Sequence, residues 1–182
     1  MSDSISRRQF FRLRLSDVFG GFDREVAPSY VRPPGARADE EEFLSLCERC
    51  GQCAAACPFD VIQKLGPSAG RSEGTPFLQP AENPCHWCPD MDCVAACPSG
   101  ALRLDLQGGA TPIGKVELDS SACLNAQGIL CDTCATACPS SVRAIRMVGR
   151  MPQLDQESCV GCGLCVRYCE AAPAALVFKR DT

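Results

Sequence analysis

Sixteen cysteines occur in 182 residues, and they fall into four groups of four with none left over. Group one is Cys47, Cys50, Cys53 and Cys57, spaced C-x2-C-x2-C-x3-C. Group two is Cys85, Cys88, Cys93 and Cys97, spaced C-x2-C-x4-C-x3-C. Group three is Cys123, Cys131, Cys134 and Cys138, spaced C-x7-C-x2-C-x3-C. Group four is Cys159, Cys162, Cys165 and Cys169, with the spacing of group one. The first cysteines recur at offsets of 38, 38 and 36 residues, an internal repeat that sets the organisation of the chain. Thiols at such density do one of three things: bridge as disulfides, hold zinc, or hold iron–sulfur clusters. Eight disulfides need an oxidising compartment and give no reason for so regular a period. Structural zinc usually takes two separated C-x2-C pairs rather than three cysteines within seven residues.

The iron–sulfur reading accounts for the spacing. A [4Fe–4S] cube takes one thiolate per iron. C-x2-C-x2-C places three sulfurs on one tight loop, and the fourth cysteine, three residues on, points toward a neighbouring cluster. Pro58, Pro98 and Pro139 follow the fourth cysteine in three groups, and Glu170 stands there in the fourth. Proline at that point removes an N–H and turns the chain away from the site. The residues before it are small, as in Ala54-Ala55-Ala56 and Ala135-Thr136-Ala137, so the backbone can approach closely. Gly51, Gly161 and Gly163 suit the same crowded loops. The expected cofactors are four [4Fe–4S] clusters, with all sixteen cysteines as ligands.

Stepping out from the cysteines, each repeat reads as a cysteine loop, a short Ala-rich turn and a brief β-like pair. The first pieces are residues 60–62, 101–104 and 143–146. The second pieces are 76–78, 116–118 and 152–154. They are too short to form independent sheets and fit hairpins laid over an inorganic core. Only 11 residues are aromatic, so an ordinary apolar core of that size is excluded. The polar, Gly/Ser-rich stretch 66–74 reads as an exposed loop. The predicted fold is α+β and ferredoxin-like, with four [4Fe–4S] motifs forming two pseudo-symmetric two-cluster modules. Two pairings satisfy the fourth-cysteine exchange: groups one with two and three with four, or one with four around a central two–three unit.

The sequence also resembles a known family. Residues 31–36 (Val-Arg-Pro-Pro-Gly-Ala), Phe43 and the run Cys47-Glu48-Arg49-Cys50-Gly51-Gln52-Cys53 resemble the ferredoxin-type proteins of periplasmic nitrate reductase and methylamine utilisation, the NapF/NapG/MauM family. The likeness continues through Gly74-Thr75-Pro76-Phe77, residues 93–102, the wide third group from Cys123-Leu124-Asn125 to Cys131-Asp132, and Cys159-Val160-Gly161-Cys162-Gly163. Group two also resembles the electron-transfer subunits of the dimethyl-sulfoxide reductase class. That second likeness favours the nested pairing, in which Cys57 serves group four, Cys169 serves group one, and Cys97 and Cys138 cross. The family resemblance implies an electron carrier accessory to a molybdenum oxidoreductase such as periplasmic nitrate reductase. Its alternatives are a cytoplasmic maturation factor for the catalytic subunit and an exported quinol-side relay. The implied partners are redox proteins, the molybdenum-containing catalytic subunit among them.

Residues 1–37 form a basic N-terminal segment with a Pro-rich linker from 27 to 37, and residues 38–182 form the four-cluster domain. Ser6-Arg7-Arg8-Gln9-Phe10-Phe11 resembles a twin-arginine export motif. An export signal also needs an apolar stretch of about 7–15 residues. Here Arg12, Arg14 and Asp17 interrupt it, and the expectation is a cytoplasmic protein. Phe11, Leu15, Val18 and Phe19 make one apolar helical face beside four arginines, which suits peripheral docking through residues 7–19. No run approaches the length of a membrane span. Net charge is −4, which disfavours a nucleic-acid partner. His86, the single histidine, and Trp87 are expected beside the second site, and Tyr168 beside the fourth. Arg49, Arg103, Arg143, Arg146 and Arg167 read as solvated charges. Nothing in the chain forms a nucleophile–base pair or a phosphate-binding loop, so no catalytic constellation and no enzyme activity are expected.

Overall fold

Four helices of a single turn, each carrying the third cysteine of a group, organise the fold. They are seen in a computed structural model that describes residues 30–180. The twin-arginine-like motif and the apolar face at Phe11–Phe19 lie outside the described residues. In chain order the elements are α1 (Glu40–Leu46), α2 (Gln52–Ala55), β1 (Gln63–Lys64), a 3₁₀ turn (Pro67–Ser72), β2 (Pro76–Phe77), α3 (Asp92–Ala95), β3 (Lys115–Leu118), α4 (Thr133–Ala137), β4 (Ile145–Val148), β5 (Met151–Leu154), α5 (Leu164–Arg167) and β6 (Leu176–Lys179). Helices this short are not stable alone. Packing holds them: α2 lies on α3, and α4 on α5. Only α1 is built by local rules, with the Asp39 carboxylate accepting the Glu42 N–H at 2.7 Å ahead of three glutamates in its first turn.

Strand pairing divides the chain into two halves of one topology. In the second half, β3 pairs antiparallel with β6, from Lys115 opposite Lys179 to Leu118 opposite Leu176. Between them, β4 and β5 form a hairpin with Ile145 opposite Leu154. In the first half the same plan is drawn in single bridges. Ala36, before group one, bridges Leu102, after group two. The inner hairpin is β1–β2, extended by a bridge from Val31 to Leu78. Groups one and two are thus enclosed together, and so are groups three and four. The nested pairing expected from the reductase likeness is overturned, because each outer strand pair closes around consecutive groups.

Two smaller expectations change as well. The hairpin at 143–146/152–154 forms with shifts of up to two residues, and the one at 60–62/76–78 forms with its first strand moved past the expected piece to Gln63–Lys64. The one expected between 101–104 and 116–118 does not form, because that stretch is the seam between halves. Leu102 turns back to Ala36 while Val116 pairs forward with Phe178. The Pro-rich stretch expected as a linker is packed from Val31 onward. Val31 and Ala36 are buried, and Pro33 and Pro34 are fully so. Proline has no N–H, so burying two in succession strands no backbone donor. The 66–74 stretch is a 3₁₀ turn that is mostly exposed, as expected of a loop, and it ends on the buried Thr75.

Candidate metal centres

Three of the four cysteine loops are shaped by a left-handed residue at the entrance to the helix. Gly51 (φ 79°) opens α2, Met91 (φ 46°) opens α3 and Gly163 (φ 88°) opens α5. Glycine takes this conformation freely, and Met91 takes it without that freedom. Group three differs: Asp132 (φ −131°) opens α4, and its long C-x7-C loop is closed by a side chain. The Asn125 Oδ1 accepts the Cys131 N–H at 3.2 Å, and its Nδ2 donates to the Cys131 carbonyl. Two Asp–Ser turns set the approach to the second half's loops. Asp119 accepts from Ser121 Oγ at 2.6 Å ahead of Cys123, and Asp155 accepts from Ser158 Oγ at 2.7 Å ahead of Cys159.

The helices end before the fourth cysteine, so the third and fourth thiols of a group part company. The result is four cavities, each lined by four cysteines. The first is lined by Cys47, Cys50, Cys53 and Cys97. The second is lined by Cys57, Cys85, Cys88 and Cys93. The third is lined by Cys123, Cys131, Cys134 and Cys169. The fourth is lined by Cys138, Cys159, Cys162 and Cys165. All sixteen cysteines are free thiols, and in every cavity one thiol comes from the neighbouring group.

These cavities fit a multi-iron group. Among the described residues no three Cys, His, Asp or Glu side chains converge closely enough to hold a single metal ion. The thiols instead ring a space, as the four corners of a cube require. Backbone N–H donors point at two of the sulfurs, and two hydroxyls lie beside others. The Trp87 N–H donates to Cys85 Sγ at 3.4 Å, and the Leu102 N–H donates to Cys97 Sγ at 3.4 Å. Ser99 Oγ lies 3.7 Å from Cys97 Sγ, and Thr133 Oγ1 lies 3.5 Å from Cys131 Sγ. Such contacts tune a bound cluster.

Without metal, burial favours the neutral form of several thiols. Burial pushes Cys53, Cys93, Cys134 and Cys162 up to about 11 and Cys85 up to about 12, and raises Cys165 in the same way. Cys97 departs from this. Burial acts on it too, but the combined donors from Leu102, Ser99 and Gly100 outweigh burial and lower it. Thiols of adjacent sets also raise one another: Cys53 acts on Cys93, Cys162 on Cys85, and Cys134 on Cys165.

His86 lines the second cavity and stacks on Phe59, with ring centroids 3.6 Å apart and planes 2° from parallel. Trp87 is half-buried against the first half's core. Tyr168 follows α5 and is 50 % exposed, so it covers the fourth group little. Arg49 is not merely solvated. Its guanidinium donates to the carbonyls of Cys47, Arg71 and Glu73 at 3.0–3.1 Å and so ties the first cysteine loop to the 3₁₀ turn. In the sequence Arg49 reads as a solvated charge and Asn125 only as part of the family motif, and the two Asp–Ser turns have no reading there. The Asp-x-Ser and Asp-x-x-Ser spacings ahead of Cys123 and Cys159 are the only sequence signal for those turns.

Comparison with known proteins bears on the same residues. A 4Fe-4S binding domain matches residues 43–63, and 4Fe-4S dicluster domains match 84–142 and 115–170. Among relatives, the methylamine utilization ferredoxin-type protein MauM of Methylophilus methylotrophus is 35% identical over 193 residues, covering 94% of this chain and 83% of that protein. MauM of Methylobacillus flagellatus is 37% identical, covering 82% of this chain and 68% of that one. The ferredoxin-type protein NapG of Escherichia coli is 38% identical over 76% of this chain and 65% of NapG. The chain belongs to this ferredoxin-type family. It is a 4Fe-4S electron-transfer protein related to NapG and MauM, as its motifs indicated. The dicluster match to 84–142 spans groups two and three, which share no cavity here, whereas the match to 115–170 spans groups three and four, which do. The dicluster pattern thus fits group three with either neighbour, and the strand pairing and cavities distinguish the two.

Proposed function

We propose that this protein is a one-electron relay holding four [4Fe–4S] clusters in two two-cluster modules, groups one with two and three with four. The observation that carries the reading is the sorting of sixteen thiols into four cavities of four. The ligand sets are Cys47, Cys50, Cys53 and Cys97; Cys57, Cys85, Cys88 and Cys93; Cys123, Cys131, Cys134 and Cys169; and Cys138, Cys159, Cys162 and Cys165. A bound [4Fe–4S] group supplies reversible one-electron oxidation and reduction, at a potential set by hydrogen bonds to its sulfurs and by exposure. The chain's residues supply the rest. The thiols give up their protons on loading. The Trp87 and Leu102 N–H groups stabilise negative charge on Cys85 and Cys97. The half-buried Trp87 and the His86–Phe59 stack shield the second set from water.

The role we propose is accessory to a molybdenum oxidoreductase such as periplasmic nitrate reductase, supported by the kinship to NapG. We place it in the cytoplasm, on the charges at Arg12, Arg14 and Asp17 that interrupt the apolar run after the twin arginines. Among the described residues no helix is long and apolar enough to cross a membrane. An EPR-monitored redox titration of anaerobically purified protein tests the relay, with iron counted on the same sample. About sixteen irons, four per thiol set, and four reducible centres are expected. Iron-loaded protein with no reducible centre would leave a maturation role in its place. A reporter fused after Ser29 that is exported by the twin-arginine route would overturn the cytoplasmic placement.

A further inference from the structure

The two halves meet at cysteine ligand residues. The Cys85 N–H donates to the Cys162 carbonyl at 2.9 Å, joining the second thiol set directly to the fourth. Beside it, within the second half, the Ile113 N–H donates to the Val160 carbonyl at 2.9 Å. Cys162 and Leu164 are buried within the apolar core of the first half, and Ile113 with them. The approach is so close that only glycine fits on one side. A methyl group on Gly163 would run into the Pro80 carbonyl of the first half. Inside each half, α2 on α3 and α4 on α5 set the paired sites side by side.

These contacts fix an order that differs from the order in sequence. We infer that the Cys85–Cys162 junction joins the modules into one electron path. The path runs from the Cys47/Cys50/Cys53/Cys97 set to the Cys57/Cys85/Cys88/Cys93 set, then to the Cys138/Cys159/Cys162/Cys165 set, and ends at the Cys123/Cys131/Cys134/Cys169 set. This rests on the relay reading proposed above. With [4Fe–4S] groups bound, one electron crossing the junction would leave the group held by the second set and arrive at the group held by the fourth set, the first oxidised and the other reduced by one. No proton moves and no bond is made or broken. A continuous covalent and hydrogen-bonded route between the two sets runs from Cys85 through its own N–H to the Cys162 carbonyl. External exchange falls to the outer sets, each with a one-electron protein partner. Cys50, in the first of them, is the one exposed cysteine of the sixteen. Group three, though third in sequence, is the terminus.

A matched pair of glycines tests this. Gly51 and Gly163 occupy the same place in C-x2-C-x2-C loops, both with positive φ, and both open a helix. A methyl group on Gly51 meets only the flexible end of the Lys64 side chain. Full-length protein would be reconstituted anaerobically, its iron counted, and its EPR spectrum recorded after dithionite reduction. Spin coupling across all four centres is expected in the wild type, and Gly51→Ala, which carries the same positive-φ strain in a loop away from the junction, should keep the coupling between the modules at equal iron. Gly163→Ala, at unchanged iron, should split the spectrum into two separately coupled pairs. A wild-type spectrum from iron-replete Gly163→Ala overturns the junction. Should Gly163→Ala fail to hold iron, pulsed dipolar EPR on partly reduced wild type decides without substitution. A spacing between modules no longer than those within them supports the path, and two pairs far apart overturn it. Failure of dithionite to reduce any wild-type centre would sink the relay reading itself. Reducible centres with uncoupled halves would sink only the junction.

Discussion

The two halves reach the same thiol geometry by different means. The second, residues 113–180, is framed by backbone: β3–β6 and β4–β5 pair over four residues each. The first, residues 30–112, has only the two-residue β1–β2 pair and isolated bridges, and side chains replace the missing ladder. Phe43, Leu78 and Thr75 are fully buried there. Arg32 ties them together. Its guanidinium lies 4.5 Å from the Phe43 ring, donates to Thr75 Oγ1 and the Pro76 carbonyl at 2.8 Å, and pairs with Glu40 at 2.5 Å. Gly35 lets the chain pass where a Cβ would come within 2.7 Å of the Arg103 carbonyl. Cluster-ligand geometry is thus robust to how a scaffold is built, provided that the strands before and after a pair of groups are brought together.

Several measurements would break or sharpen that contrast. The largest effect is expected from the metal, which acts on both halves alike. Thiols line both cores, so removing iron with a chelator in air should abolish protease resistance in each half, and far-UV circular dichroism should show loss of folded structure. Protection persisting in the second half alone would mean that its strands suffice without metal. Next is Phe43→Ala, which should destabilise the protein by about 3–5 kcal/mol, read as earlier thermal loss of visible cluster absorbance. Arg32→Ala follows at about 2–3 kcal/mol, since it removes charge-assisted hydrogen bonds and a cation–π contact at once. In the second half, Asn125→Ala should cost about 1 kcal/mol and should speed loss of iron in air from the group-three site more than from the others. That would locate lability in the wide loop. Equal loss from all sites would assign Asn125 no special part.

Much of this was legible in the cysteines. Their spacing gave the four groups, the exchange of fourth thiols and the cofactor class, because few ligand geometries satisfy C-x2-C-x2-C-x3-C. The hairpins at β1–β2 and β4–β5 followed from the same repeat. The pairing of modules was not legible. It depends on long-range contacts, Ala36 to Leu102 and Val116 to Phe178, between pieces no more apolar than their neighbours. The burial of Pro33 and Pro34 was hidden for a related reason: proline punctuates loops and also packs well where no donor is wanted. Asn125 was hidden because a single polar side chain in a loop carries no periodicity.

The pairing of groups is the central claim, and one alkylation experiment addresses it. In anaerobic, cluster-loaded Cys97→Ala, thiols released from a lost site react with iodoacetamide, while those on intact clusters stay protected. Mass spectrometry then reads each cysteine. The account predicts that Cys47, Cys50 and Cys53 become labelled while Cys85, Cys88 and Cys93 remain protected. Labelling of Cys123, Cys131 and Cys134 instead would restore the nested pairing, and labelling confined to Cys85, Cys88 and Cys93 would show that fourth cysteines do not cross between groups at all.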